Sequence, residues 1–160
     1  MFKIRYLKEN EKSFLMEMLY ESIYIKKEAK PSIDELLNSD ELRKYHEDWG
    51  REGDKALLVV DDKDIPVGAA WYRLFSYKEP GYGYINANTP EVGIAIKEEA
   101  RRKGLGTKLI QLIIEEAKNN GFKALSLSVA LNNTNAINLY RKFGFVEISK
   151  TENTITMLLK

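Results

Sequence analysis

"EVGIAIKEEARRKGLGTKLIQLIIEEAKNNGFKALSLSV" (Glu91–Val129) decides the fold. Glu91–Lys97 is a mostly apolar run of strand length, and Ala124–Val129 alternates apolar and polar residues. Between them Leu105, Leu109, Leu112, Ile113 and Ala117 share one helical face, and "NNG" at Asn119–Gly121 supplies a stop. Strand, helix and strand in this order predict a β-α-β unit with a parallel strand pair. At the helix start stands "ARRKGLGTKL" (Ala100–Leu109), where Arg101, Arg102 and Lys103 precede Gly104, Leu105, Gly106 and Thr107. A helix N-terminus offers unpaired N–H groups and about half a positive charge. Glycine lets an anion come close to the backbone. The turn therefore reads as a phosphate cradle, with a solvated basic turn as the plain alternative. It is not a Walker A loop, because "GLGTK" lacks the G-x-x-x-x-G-K-[ST] spacing. It is not a Rossmann fingerprint, because Leu109 stands where the third glycine belongs.

Outward from this unit, "FKIRYL" (Phe2–Leu7) alternates as a first strand. Phe14, Leu15, Met18, Leu19 and Ile23 give a helical period from Glu9 to about Ile25, broken by Pro31. "SIDELLNSDELRKYHEDWG" (Ser32–Gly50) reads as one or two short helices, with Ser32 and Glu35 as a capping box and Gly50 as a stop. Ala56–Asp62 and Val67–Phe75 form a hairpin around "DKDIP". "YKEPGYGYINANTP" (Tyr77–Pro90) is a glycine- and proline-punctuated loop, of the kind that holds a substrate. A short helix at Asn133–Gly144 and two strands, "FVEISK" and "TITMLLK", close the chain. Strands interleaved with helices predict an α/β or α+β fold with a largely antiparallel sheet.

The length of 160 residues predicts a single domain over 1–160. Apolar residues make up 44% and charged residues 31%, ordinary for a soluble globular chain. A net charge of +1 argues against nucleic acid or an anionic membrane as the main partner. No apolar run approaches the ~18 residues of a spanning helix, and "MFKIRYLKENEKSF" shows no signal-peptide core. The expected location is cytoplasmic. With no cysteine and a single histidine, His46, disulfides, Cys₄-type zinc, a covalent cysteinyl intermediate and a multi-histidine metal site are excluded. Charge is uneven: "RRKGLGTK" holds four cations and no acid, whereas Asp34–Asp54 holds eight acids and three cations. The acidic segment reads as an attractor for a cationic amine or as a solvated helical face. Trp49, Trp71, Tyr72, Tyr82 and Tyr84 read as walls of an acceptor pocket or as core, and His46 as a surface residue.

Two motifs in this order resemble those of the GNAT N-acetyltransferase superfamily. The first is "RRKGLG", matching R/Q-x-x-G-x-G/A. The second is Asn133, Ala136, Leu139, Tyr140, Gly144 and Phe145 in "NNTNAINLYRKFGF". The resemblance runs over essentially the whole chain and is weakest across Tyr20–Gly53. Ala100 stands where an aromatic is common and Glu98 where a proline is common. The resemblance implies a mixed, mostly antiparallel sheet of six to seven strands, flanked by about four helices, with a splayed central parallel pair. It implies acetyl-CoA as co-substrate, no metal, and an acyl-CoA-dependent transfer, most often of acetyl, to an amine. The amine would be a small molecule or a peptide, attacking directly in a ternary complex. In that frame the amides of Arg101, Arg102, Lys103, Gly104, Leu105, Gly106 and Thr107 hold the pyrophosphate. The backbone of Ile94, Ala95 and Ile96 pairs with the pantetheine arm, and Gly93 fits a bulge. Asn133 hydrogen-bonds the pantetheine or caps its helix. Tyr140 donates a proton to the leaving thiolate, against the plain reading of a core aromatic. Glu91 is the general base, against a solvated strand-end glutamate, with Tyr82, Tyr84 and Asp61 as other candidates. A non-catalytic CoA-binding module on the same fold, or an enzyme of nucleotide phosphates, is the alternative. A homodimer is left open.

Overall fold

The decisive unit forms as its pattern requires. In the computed structural model, which describes residues 1–160, it comprises β4 (Glu91–Ile96), α4 (Leu105–Asn119) and β5 (Leu125–Ala130). Before it come β1 (Lys3–Tyr6), α1 (Lys12–Ser22), α2 (Ile33–Leu37), α3 (Asp40–Arg43), β2 (Lys55–Val60) and β3 (Pro66–Arg73). After it come α5 (Thr134–Lys142), β6 (Val146–Lys150) and β7 (Thr154–Leu159). The strands make one seven-stranded sheet in the order β1-β2-β3-β4-β5-β7-β6. Every neighbouring pair is antiparallel except β4 and β5. The fold is thus the expected mixed α/β one, with five α-helices where about four were expected.

Both faces of the sheet are covered, so its central strands are apolar on both sides. Along β2, Leu57 and Val59 face one core while Ala56, Leu58 and Val60 face the other. The first core is closed by Leu105, Leu109, Ile110, Ile113, Ile114 and Ala117 of α4 and by Ile137 and Tyr140 of α5. The second is closed by Leu15, Met18 and Leu19 of α1 and by Leu37 of α2. Full burial of each such side chain stabilises by roughly 1.5–3 kcal/mol. No helix is long and apolar enough to cross a membrane.

Two local expectations change. The first helix starts at Lys12, because Glu9–Glu11 turn as a 3₁₀ segment. There the Glu11 carboxylate accepts from the Lys8 N–H at 2.8 Å and from Arg5 at 2.8 Å. Gly93 is not a bulge, since the β3–β4 register runs unshifted from Gly68↔Ile96 to Arg73↔Glu91. It is glycine because the Trp71 indole lies on it: a Cβ there would stand 2.6 Å from the ring.

Candidate active site

The parallel pair separates almost at once. β4 and β5 are in register only at Glu91↔Ser126, with Ser126 N–H donating to Pro90 O at 3.0 Å. Alternation along a strand then turns the backbone groups of Ile94 and Ile96 toward β5, which has moved away. Ala95 lies between them, so its backbone faces β3 and is not brought to the gap. The gap opens into a cleft of about 840 Å³ that reaches from Gly93 and Ile94 to Val129, Asn133 and Tyr140.

Beyond the C-terminal end of β4, after a 3₁₀ turn at Glu98–Ala100, the chain turns through Arg101–Gly104 into α4. Arg102 has φ 63° and Gly104 φ 76°, both left-handed, a backbone that occurs in anion-binding turns. The space beside Gly104 is empty, so its backbone conformation, not crowding, favours glycine there. Lys108 N–H, onto Gly104 O at 3.3 Å, opens the helical ladder, leaving the N–H groups of Leu105, Gly106 and Thr107 ahead of it. Arg102, Lys103, Gly104 and Thr107 are exposed. Arg101 instead folds back, its Nε donating to Ile96 O at 2.9 Å. Gly106 brings α5 close: a Cβ there would stand 3.8 Å from Leu139 Cδ2.

On α5, the Asn133 side chain accepts from Ala136 N–H at 3.4 Å, so it caps the helix while also lining the cleft. Tyr140 lies two turns on, edge-on to Phe145 with ring centroids 5.7 Å apart. Burial pushes its hydroxyl above the ordinary phenol range, so it stays protonated at neutral pH.

Glu91 sits where the two strands part. It is 7% exposed, not solvated. Its Oε2 accepts from Tyr45 Oη at 2.6 Å and its Oε1 from Gly83 N–H at 2.8 Å. Burial pushes the carboxyl up to about 7, against the two hydrogen bonds and the Lys44 charge, which pull it down. Tyr45 Oη in turn accepts from Tyr82 N–H at 2.7 Å. The Tyr77–Pro90 loop is thereby tied to the strand end. Its glycines fit there because a Cβ on Gly81 would collide with the Glu91 carboxylate, and one on Gly83 would stand 2.7 Å from the Leu127 backbone.

The sequence reading did not single out Tyr45 or the group that fixes it. Arg73, 1% exposed, donates Nε to Asp54 Oδ1 at 2.9 Å and Nη2 to Oδ2 at 2.7 Å. Its Nη1 donates to Lys44 O at 3.0 Å and Glu47 O at 2.7 Å, the carbonyls on either side of Tyr45. Trp49 packs on the guanidinium, with its ring centroid 5.0 Å away, and so is a support, not a cleft wall. Tyr72 faces the opposite core beside Phe122. Trp71 and Tyr82 do line the cleft, whereas Tyr84 does not. Asp61 is spent on the β2–β3 turn, accepting from Lys63 N–H and Ile65 N–H, at the far end of β3 from Glu91. His46 is half-buried, its Nε2 2.7 Å from Leu37 O.

The family model of the Acetyltransferase (GNAT) family matches residues 17–145, and the chain belongs to that family. It is 36% identical over 99 residues to an L-methionine sulfoximine/L-methionine sulfone acetyltransferase of Pseudomonas aeruginosa, a match covering 62% of this chain and 54% of that one. The chain spans 26% to 58% of the length of the first curated relatives it matches. The fold is shared with a phosphinothricin acetyltransferase from Sinorhizobium meliloti solved with AcCoA. That likeness has a TM-score of 0.72 and 19% identity, covering 99% of this chain and 87% of the other. It is shared also with a ribosomal-protein-alanine N-acetyltransferase from Brucella melitensis, at TM-score 0.70 and 21% identity over 98% of each chain.

Proposed function

We propose that this chain transfers the acetyl group of acetyl-CoA to an amine by direct attack in a ternary complex. One observation carries the reading: the parallel strands part beside the buried Glu91 carboxylate, and the gap opens toward the C-terminal end of β4, which the chain leaves for the glycine turn at the start of α4. Acetyl-CoA supplies a thioester already activated toward acyl transfer. The N–H groups of Leu105, Gly106 and Thr107, with the fields of Arg102 and Lys103, suit its pyrophosphate. The edge of β4 at Ile94 and at the Ile96 N–H suits the pantetheine arm, which pairs there as an added strand. An N–H on this edge, aimed at the acetyl carbonyl, stabilises the oxyanion that forms on attack.

Glu91 takes the amine's proton. An alkylammonium with a pKa of about 10.4 gives up its proton more readily to a carboxylate raised to about 7 than to an ordinary one. The amine nitrogen bonds to the carbonyl carbon and the carbon–sulfur bond breaks; Tyr140 gives its proton to the departing thiolate and regains one from the second proton that the nitrogen sheds as the amide forms. Burial keeps that phenol protonated until then. No cysteine is present to carry the acyl group, which favours direct transfer.

Calorimetry tests the donor. Acetyl-CoA is expected to bind and ATP not to, and Arg102→Glu with Lys103→Glu is expected to weaken acetyl-CoA roughly tenfold or more. A pantetheine fragment without phosphates should be little affected. Binding of ATP but not of CoA overturns the reading. For the proton donor, Tyr140→Phe is expected to lower kcat about 10²-fold with donor affinity kept. Unchanged turnover removes Tyr140 from the mechanism. Tyr45→Phe keeps the ring against Phe75, 4.9 Å away, but removes a hydrogen bond that holds the Glu91 carboxyl down. The acid limb of the kcat/KM profile should then move up from about 7 by about 1–2 units. A limb that stays in place shows that Glu91 does not set it.

A further inference from the structure

We infer that the acceptor is a small amine bearing a second positive charge and no carboxylate. This rests on the transfer reading above and names the substrate of the same cleft. Beyond Glu91 the cleft continues between the end of α1, the α2–α3 segment and the β6–β7 turn. Its charged lining side chains are Arg73, Glu41, Glu91 and Glu152. Arg73 is the only cation among them; it is 1% exposed and spends four of its five N–H donors inside the fold. Its Nε, Nη1 and Nη2 all donate to Asp54 or to the Lys44 and Glu47 carbonyls, at 2.7–3.0 Å. An amino acid entering amine-first would bring its carboxylate to Glu41 and Glu152, with no available cation among the lining side chains, an arrangement that selects against it. Lys44, whose charge reaches Glu91, stands outside the lining, with Nζ 5.7 Å from the Tyr82 ring centroid.

The same lining suits a dication. Glu41 and Glu152 are exposed and stand in no ion pair. Burial first, then the charges of Glu41 and Glu91, raise the Tyr82 hydroxyl above its ordinary range, so both carboxylates act at one ring. While the reacting nitrogen sits at Glu91 and loses its charge, a second ammonium can stay charged against Glu41. Aromatic surface is ready for it: Tyr24 lines the cleft, is 57% exposed, and attracts an ammonium to the face of its ring. Ile25, 38% exposed beside it, suits an apolar spacer.

Thiol release from acetyl-CoA with three probes tests this: cadaverine, lysine and n-pentylamine. Lysine adds one carboxylate to cadaverine, and n-pentylamine lacks one of its charges. The kcat/KM for cadaverine is expected to exceed that for lysine roughly a hundredfold and that for n-pentylamine about tenfold. Glu41→Gln should shrink the cadaverine-to-pentylamine ratio by about fivefold. If lysine is turned over as well as cadaverine, the acceptor class is overturned and the transfer reading stands. If no probe releases thiol, the acceptor class is again overturned. Calorimetry then separates the two readings, because only a failure of acetyl-CoA to bind removes the transfer reading as well.

Discussion

Replacing Glu91 with glutamine is expected to lower kcat/KM by about 10²- to 10⁴-fold, the usual worth of a positioned general base. The substitution keeps the size of the side chain and its acceptor toward Tyr45, so donor binding at the distant cradle should survive. The wild-type rate should rise with pH through about 7, where the carboxyl loses its proton, and the variant should lose that limb. The same group leaves a mark on stability. An ordinary glutamate ionises near 4.5 and this one near 7, so between those values the folded chain binds more protons than the unfolded one. Its contribution to stability therefore falls as pH rises from about 4.5 to about 7, and the cost is fully present above that. Glutamine removes this term. The Tm of the variant minus that of the wild type should increase across this window, and a constant difference would show that the Glu91 carboxyl is not raised.

The largest loss of stability is expected at Arg73. Arg73→Ala leaves the Asp54 carboxylate buried at 1% exposure with no counter-charge. Breaking one side of such a pair costs about 3–5 kcal/mol, which for a chain of this size lowers Tm by roughly 6–20 °C. The Lys44 and Glu47 carbonyls lose their donors at the same time, so Tyr45 loosens from Glu91. Removing both charges, with Arg73→Met and Asp54→Leu together, should recover much of the stability, because no unpaired buried charge remains. Thermal denaturation of the single and double variants checks this. A drop of only a degree or two for Arg73→Ala would show that the clamp does not hold the α3–β2 segment.

The β-α-β unit was legible in the sequence because its signals are periodic and local. Strand parity, a stripe at helical spacing and glycine at a helix start all act within a few residues. The same parity bears on Trp71 and Tyr72: adjacent residues on a strand face opposite sides, so the two cannot wall one cleft. The Glu91–Tyr45 contact was not legible, because it joins residues 46 positions apart. Tyr45 belongs to "RKYHEDW", a run without apolar period that continues as turn after a four-residue helix. Arg73 did leave a signal: it is the charged residue that closes the apolar strand "PVGAAWY", where burial requires a partner. The burial of Glu91 had no local sign, since the loop that covers it reaches back through the close approach of Gly81 and the backbone N–H groups of Tyr82 and Gly83.

Thiol release measured beside mass analysis of the amine product tests the central claim most directly. The chain has no cysteine, so every thiol that appears comes from the donor. With acetyl-CoA and an amine present, free CoA thiol and N-acetylated amine should appear in equal amounts, with no acetyl group left on the protein. Acetyl-CoA bound without any thiol released, or an acetylated protein that passes its group on only in a second step, would contradict direct transfer.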